Sequence, residues 1–148
     1  MTNGVVLRRP AIHEHDVVRE LVQTVVDEIY GGLWAPAPLP ISEEDWSLAW
    51  VAVVHRKIVG MVLTNEEWIG DLWVLREFRG RGIGRILLAR GEAEISGRGC
   101  RTFRLRVVKS NTPAVGFYQR HGWRVRREFP HESFPITILE MVKPARAD

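Results

Sequence analysis

The 148 residues, 45% hydrophobic and 26% charged, suffice for one domain that buries roughly 70% of its unfolded surface, and they exclude a disordered chain. A net charge of +3 suits a small anionic ligand and, without a recognition motif, is too weak and scattered for a nucleic-acid binder. Cys100 is the only cysteine, which excludes an intrachain disulfide and a thiolate metal cluster, and no apolar run approaches the ~18 residues of a membrane span, so a soluble cytoplasmic protein is expected.

In chain order, Val5 to Arg9 alternates and ends at Pro10, the pattern of a short strand. From His13 to about Ile29, Val18, Leu21, Val22, Val25, Val26 and Ile29 recur at three- and four-residue steps and predict a helix with one buried face, stopped by Gly31 and Gly32. Pro36, Pro38 and Pro40 make the next stretch a loop, and Ser42 with Asp45 predicts a capped turn before Trp46. Leu48 to His55 and Lys57 to Thr64 read as an antiparallel hairpin turning at His55-Arg56, and a turn near Asn65-Glu66 leads to a third strand, Trp68 to Leu75.

A helix from Gly82 to about Ser96 is expected to bury Ile83, Ile86, Leu87 and Ala93. Thr102 to Val108 is a strand with Phe103, Leu105 and Val107 on one face, and Pro113 to His121 is a short helix closed by Gly122. Trp123 to Phe129 and Pro135 to Val142 complete a terminal strand pair, followed by a polar tail after Pro144. Hairpins mixed with strand-helix-strand crossovers predict an α/β (α+β) fold: a single mixed, mostly antiparallel sheet of about seven strands with helices on both faces.

The stretch from Ile69 to Arg90 carries the clearest chemistry. An apolar strand runs into an arginine- and glycine-rich turn that opens a helix, where about four backbone N–H groups lack intrahelical partners and point at whatever anion lies above. The spacing Gly80-x-Gly82-x-Gly84 does not match a dinucleotide fingerprint, which needs Gly-x-Gly-x-x-Gly after the first strand and an acid about twenty residues on. No Gly-Lys-Ser/Thr closes it as a Walker loop.

Arg79-x-x-Gly82-x-Gly84 after a strand, with Asn111-x-x-Ala114-x-x-x-Tyr118-x-x-x-Gly122 about thirty residues later, resembles the GCN5-related N-acetyltransferase (GNAT) family across nearly the whole chain. The resemblance implies one N-acetyltransferase domain over 1–148 that transfers acetyl from acetyl-CoA to a primary amine. It assigns pantetheine contacts to the backbone of Leu72, Trp73 and Val74, and the diphosphate to Arg79, Gly80, Arg81, Gly82, Ile83, Gly84 and Arg85. By the same resemblance Asn111 contacts the cofactor arm and Tyr118 is the general acid that reprotonates the CoA thiolate. Phenol and thiol acidities are close enough for that proton to pass at low cost.

The base is less defined. Several small-amine acetyltransferases of the family carry Glu-Asp-aliphatic-aromatic-Val on the strand before the glycine turn, and here the segment is Gly70-Asp71-Leu72-Trp73-Val74, with Gly70 in the place of the acid. Asp71 and, on the same strand face by a period of two, Glu67 are the candidates, unless a bulge shifts the register. A water chain is an alternative, as are His131 and Glu132 in the last hairpin loop.

Trp46, Trp50 and Trp123 are expected in the core, and Trp34, Trp73 and Phe134 are candidates for an acceptor pocket. The acids Glu43, Glu44, Glu66, Glu67 and Asp71 suit a cationic amine, either a small molecule or a peptide. No metal, nucleic-acid or membrane partner is expected, and exposed sheet edges make a homodimer reasonable. The rival readings are a CoA-binding module that no longer catalyses and a nucleic-acid binder using Arg79, Arg81, Arg85, Arg104 and Arg106.

Overall fold

The computed structural model describes residues 4–145, so the last residues of the polar tail lie outside it. In chain order the elements are β1 (Val5–Arg8), α1 (His15–Tyr30), β2 (Trp50–Val54), β3 (Lys57–Asn65), β4 (Trp68–Val74), α2 (Ile83–Gly97), β5 (Thr102–Val108), α3 (Thr112–Arg120), β6 (Arg124–Pro130) and β7 (Thr137–Pro144). One seven-stranded sheet takes them in the order β1-β2-β3-β4-β5-β7-β6. Every pairing is antiparallel except β4 with β5. No helix among the described residues is long and apolar enough to cross a membrane.

The two sheet faces carry separate cores because the strands alternate. On one face the apolar stripe of α1, Val18, Leu21, Val22 and Val25, packs on Val51, Val53, Met61 and Leu63. On the other, Ile83, Leu87, Leu88 and Ile95 of α2 and Tyr118 of α3 pack on Val59, Val62, Ile69, Leu105 and Val107. Burial of α2 departs from the periodicity: Ile86 is only half-buried and Leu88 is buried. Ala93 is exposed and Gly91 is buried instead, because Gly91 is where α2 touches the sheet: a Cβ there would come within 2.8 Å of Ile69 and 3.1 Å of Val62.

Local signals explain the turns. His55 and Arg56 both hold positive φ, 48° and 67°, the backbone that a two-residue hairpin needs to follow strand twist. Before Trp46 the cap is Asp45 itself, which accepts from the Ser47 N–H at 3.2 Å, and Ser42 takes no part. Trp46 and Trp123 are core residues. Trp50 is half-exposed, held between the Arg9 and Arg90 guanidinium groups at 4.4 and 4.5 Å, with its N–H donated to Glu94.

Gly60 on β3 is a close-approach position. A Cβ there would stand 2.9 Å from Leu87 and 3.0 Å from the Trp73 carbonyl oxygen, and the carbonyl belongs to a paired strand that cannot yield as a side chain does. Gly60→Ala is therefore expected to cost about 1–3 kcal/mol, read as a lower midpoint in urea unfolding.

Candidate active site

The cleft begins where two strands part. The β4–β5 ladder contains only Trp68 opposite Arg104 and Ile69 opposite Leu105. Beyond it, Leu72 to Val74 and Arg106 to Val108 form opposing walls of a cavity of about 700 Å³, within the range of small-molecule sites. This edge of β4 has no β5 partner, so its backbone can pair with an extended ligand laid between the strands.

At one end stands the glycine turn. Gly82 caps α2 in the left-handed region at φ 84°, and Gly80 holds φ 78°. No side chain caps the helix, and the first bond back to the turn runs from the Ile86 N–H to the Gly82 carbonyl at 3.2 Å. The preceding amides are left for an anion, with Arg85 beside them on the cavity wall. These features fit a diphosphate.

The remaining members of this group separate in space. Arg79 lines the cavity, but its guanidinium donates to both Glu28 oxygens at 2.7 and 2.8 Å and to the Val74 carbonyl at 2.9 Å. It ties the turn to α1 and β4. Ile83 is buried against the core, and Arg81 lies over the Phe78 ring at 5.0 Å, away from the cavity wall. Arg120 and His121, at the end of α3, line the cavity and were missed in the sequence because neither belongs to a glycine motif.

Tyr118 projects from α3 to the cavity wall. Its hydroxyl hydrogen bonds to no described residue, and burial, with the Tyr30 and Asp71 charges adding to it, holds its pKa well above the ordinary phenol. Asn111 caps α3 through the Ala114 N–H at 3.4 Å and donates its Nδ2 to the Tyr30 hydroxyl at 2.9 Å. That contact fastens the last turn of α1 to the start of α3. Tyr30 also lines the cavity. It was legible only as a polar-tipped aromatic at the end of an apolar stripe.

Register decides the carboxylates. Thr64 lies opposite Ile69 and Leu63 opposite Asp71, so Gly70 is an extra, bulged residue of β4. The bulge sends Leu72 and Val74 to the α2 side and Trp73 to the α1 side. Asp71 accepts from the Trp73 Nε1 at 2.9 Å, and burial raises its pKa. Glu44, exposed, has its own pKa raised by desolvation and by the Asp71 charge. Glu67 sits in the turn before β4, ion-paired with Arg104 at 2.7 Å and outside the cavity wall, so the structure does not bring it together with Asp71 and Tyr118. Glu43 is likewise paired, with Arg19.

The model of the acetyltransferase (GNAT) family matches residues 18–123. The chain belongs to that family. A relative from Salmonella typhimurium, named peptidyl-lysine N-acetyltransferase YjaB, is 28% identical over 140 residues, covering 93% of this chain and 86% of the relative. A GCN5-related N-acetyltransferase structure from Rhodopseudomonas palustris matches with a TM-score of 0.76 at 17% identity, over 97% of this chain and 98% of that one. The PaiA N-acetyltransferase of Thermoplasma acidophilum, solved with coenzyme A, matches with a TM-score of 0.70 at 18% identity, over 95% and 98% of the two chains. As a GNAT acetyltransferase, this chain is an enzyme that takes acetyl from acetyl-CoA to an amine.

A group of aromatic residues gathers beside Asp71. Tyr30 stands 6.4 Å from Trp73 and 5.9 Å from Trp34, and Trp34 is 5.4 Å from Phe134, so the three aromatics expected at the acceptor pocket meet through one that was not. His131 stacks on Phe134 at 5.0 Å and its Nδ1 accepts from the Ser133 and Phe134 amides, which commits it to shaping the last hairpin loop.

Proposed function

We propose that this single domain, working in the cytoplasm, acetylates a primary amine by direct attack within a ternary complex. The carrying observation is the parting of β4 from β5 with Tyr118 on the wall between them. When bound, acetyl-CoA supplies the thioester carbonyl that the amine nitrogen attacks and the thiolate that leaves as the carbon–sulfur bond breaks. The backbone N–H groups of β4 near Val74 donate to the carbonyl oxygen as it gains charge. Tyr118, protonated at neutral pH as any phenol is, with its pKa raised further by burial, gives its hydroxyl proton to the departing sulfur. Asp71 takes the amine proton, and Glu44 adds negative potential that favours a cationic acceptor.

Glu67 is the weaker base candidate because its carboxylate is spent on Arg104. The test is a screen of amines from free polyamines to lysine peptides, with thiol release as readout. No thiol release with any amine class would favour a non-catalytic CoA-binding module, whereas steady hydrolysis or transfer that is lost in Tyr118→Phe would argue against it.

Asp71 gives the pH prediction. A carboxyl whose folded pKa is raised favours the fold when protonated, and that contribution is lost as pH rises through the folded pKa. Asp71→Asn should therefore not lower the thermal midpoint at neutral pH. It should remove the acid limb of the kcat/KM profile, which in the wild type lies above the range of an ordinary aspartate, and lower kcat/KM by about 100-fold or more.

A further inference from the structure

The core beneath α1 contains residues of β2, β3 and β4 and none of β5, β7 or β6. On the face α1 leaves uncovered, register places Arg104 and Arg106 of β5, Glu140 of β7 and Arg124 and Arg127 of β6 on one side. Glu140 is 3% exposed and accepts from Arg104, Arg126 and Arg127 at 3.4, 3.3 and 3.1 Å. Glu67 holds the other side of Arg104. Five arginines thus share this face with two carboxylates, and three of them bond to Glu140. Among the described residues Arg106 and Arg124 pair with neither, and both are exposed.

This face reaches the cleft. A second cavity of about 400 Å³ is lined by Trp68, Ile69, Gly70 and Arg106, and the last three also line the main cavity. At the junction Gly70 contributes no side chain. A Cβ there would meet only the Leu63 carbonyl at 3.6 Å, an ordinary contact, so glycine is not demanded by packing and its effect is to keep the junction open.

Resting on the function proposed above, we infer that the acceptor amine is carried by an acidic peptide segment that lies across this arginine face and reaches the cleft at Gly70. Charge complementarity selects the occupant. From β5 to β6 the arginines span two strand spacings, about 10 Å, more than a small free amine covers. An ammonium entering beside Asp71 and Glu44, with carboxylates trailing over Arg106 and Arg124, meets the opposite sign at both places.

A nucleic acid would bring phosphates to the acidic end as well. The ring faces it would stack on are already taken: Arg106 lies 5.3 Å over Trp68 and 5.4 Å over Phe129, and Arg127 lies 4.5 Å over Phe129. The guanidinium edges remain for carboxylates.

The experiment compares three lysine peptides of equal length whose flanking residues are acidic, neutral or basic, by kcat/KM at low and high ionic strength. Fluorescence anisotropy of the same labelled peptides gives binding independent of turnover. The acidic peptide should be preferred by about tenfold over the neutral one at low salt, through KM, with the preference shrinking at high salt. Arg124→Glu should cut the acidic-to-neutral ratio by about threefold or more in both readouts.

Equal use of the three peptides, or an unchanged ratio in Arg124→Glu, overturns the inference. So does an RNA oligonucleotide that binds the face while no peptide preference is seen. Selective binding of the acidic peptide without acetylation would support the surface and count against the proposed transfer, so the two readings fail separately.

Discussion

Tyr118→Phe is expected to lower kcat by about 10²- to 10⁴-fold while leaving acetyl-CoA affinity within about twofold. The hydroxyl is the only part removed, and it bonds to no described residue, so its loss leaves no partner stranded and the thermal midpoint should hardly move. Stopped-flow thiol release, with CoA affinity by calorimetry, separates the two effects. If Tyr118 is the acid, acceptors should lose rate together whatever their size, because the thiolate is common to all of them. Unchanged turnover in Tyr118→Phe would mean that the thiolate leaves unprotonated or that Tyr30, which shares the wall, supplies the proton.

Gly82→Val should act on the donor alone. At φ 84° a β-branched residue is strained by about 1–3 kcal/mol, and its side chain would stand where the diphosphate approaches the amides that open α2. The expected result is a rise of about 100-fold or more in the KM for acetyl-CoA with a smaller loss of stability. Both variants are read against the same wild type, and their signatures differ: Tyr118→Phe moves kcat and Gly82→Val moves KM.

The fold was legible because its signals are local. The three- and four-residue steps of α1, the His55-Arg56 turn and the alternation in β5 each fix one element, and the order of elements allows few topologies. The two motifs that line the cleft were legible for the same reason, as each is contiguous. What the sequence hid was long-range pairing. Arg79 also holds Glu28, 51 residues away, and Asn111 donates its amide to Tyr30, and neither partner belongs to the motif of its residue. A period-two reading put Glu67 and Asp71 on one face, but the bulge between them could not be located from residue types alone.

The bulge at Gly70 sets the frame in which the rest of β4 is read. Were the same residues to alternate strictly from Ile69 onward with no bulge, Leu72 and Val74 would turn out of the α2 core and Asp71 and Trp73 would be pressed into it. Chemistry and packing on this strand are thus interleaved by a parity that one residue controls. Any comparison that aligns this strand without a gap at the bulge would exchange the residues that pack on α2 for those on the α1 face.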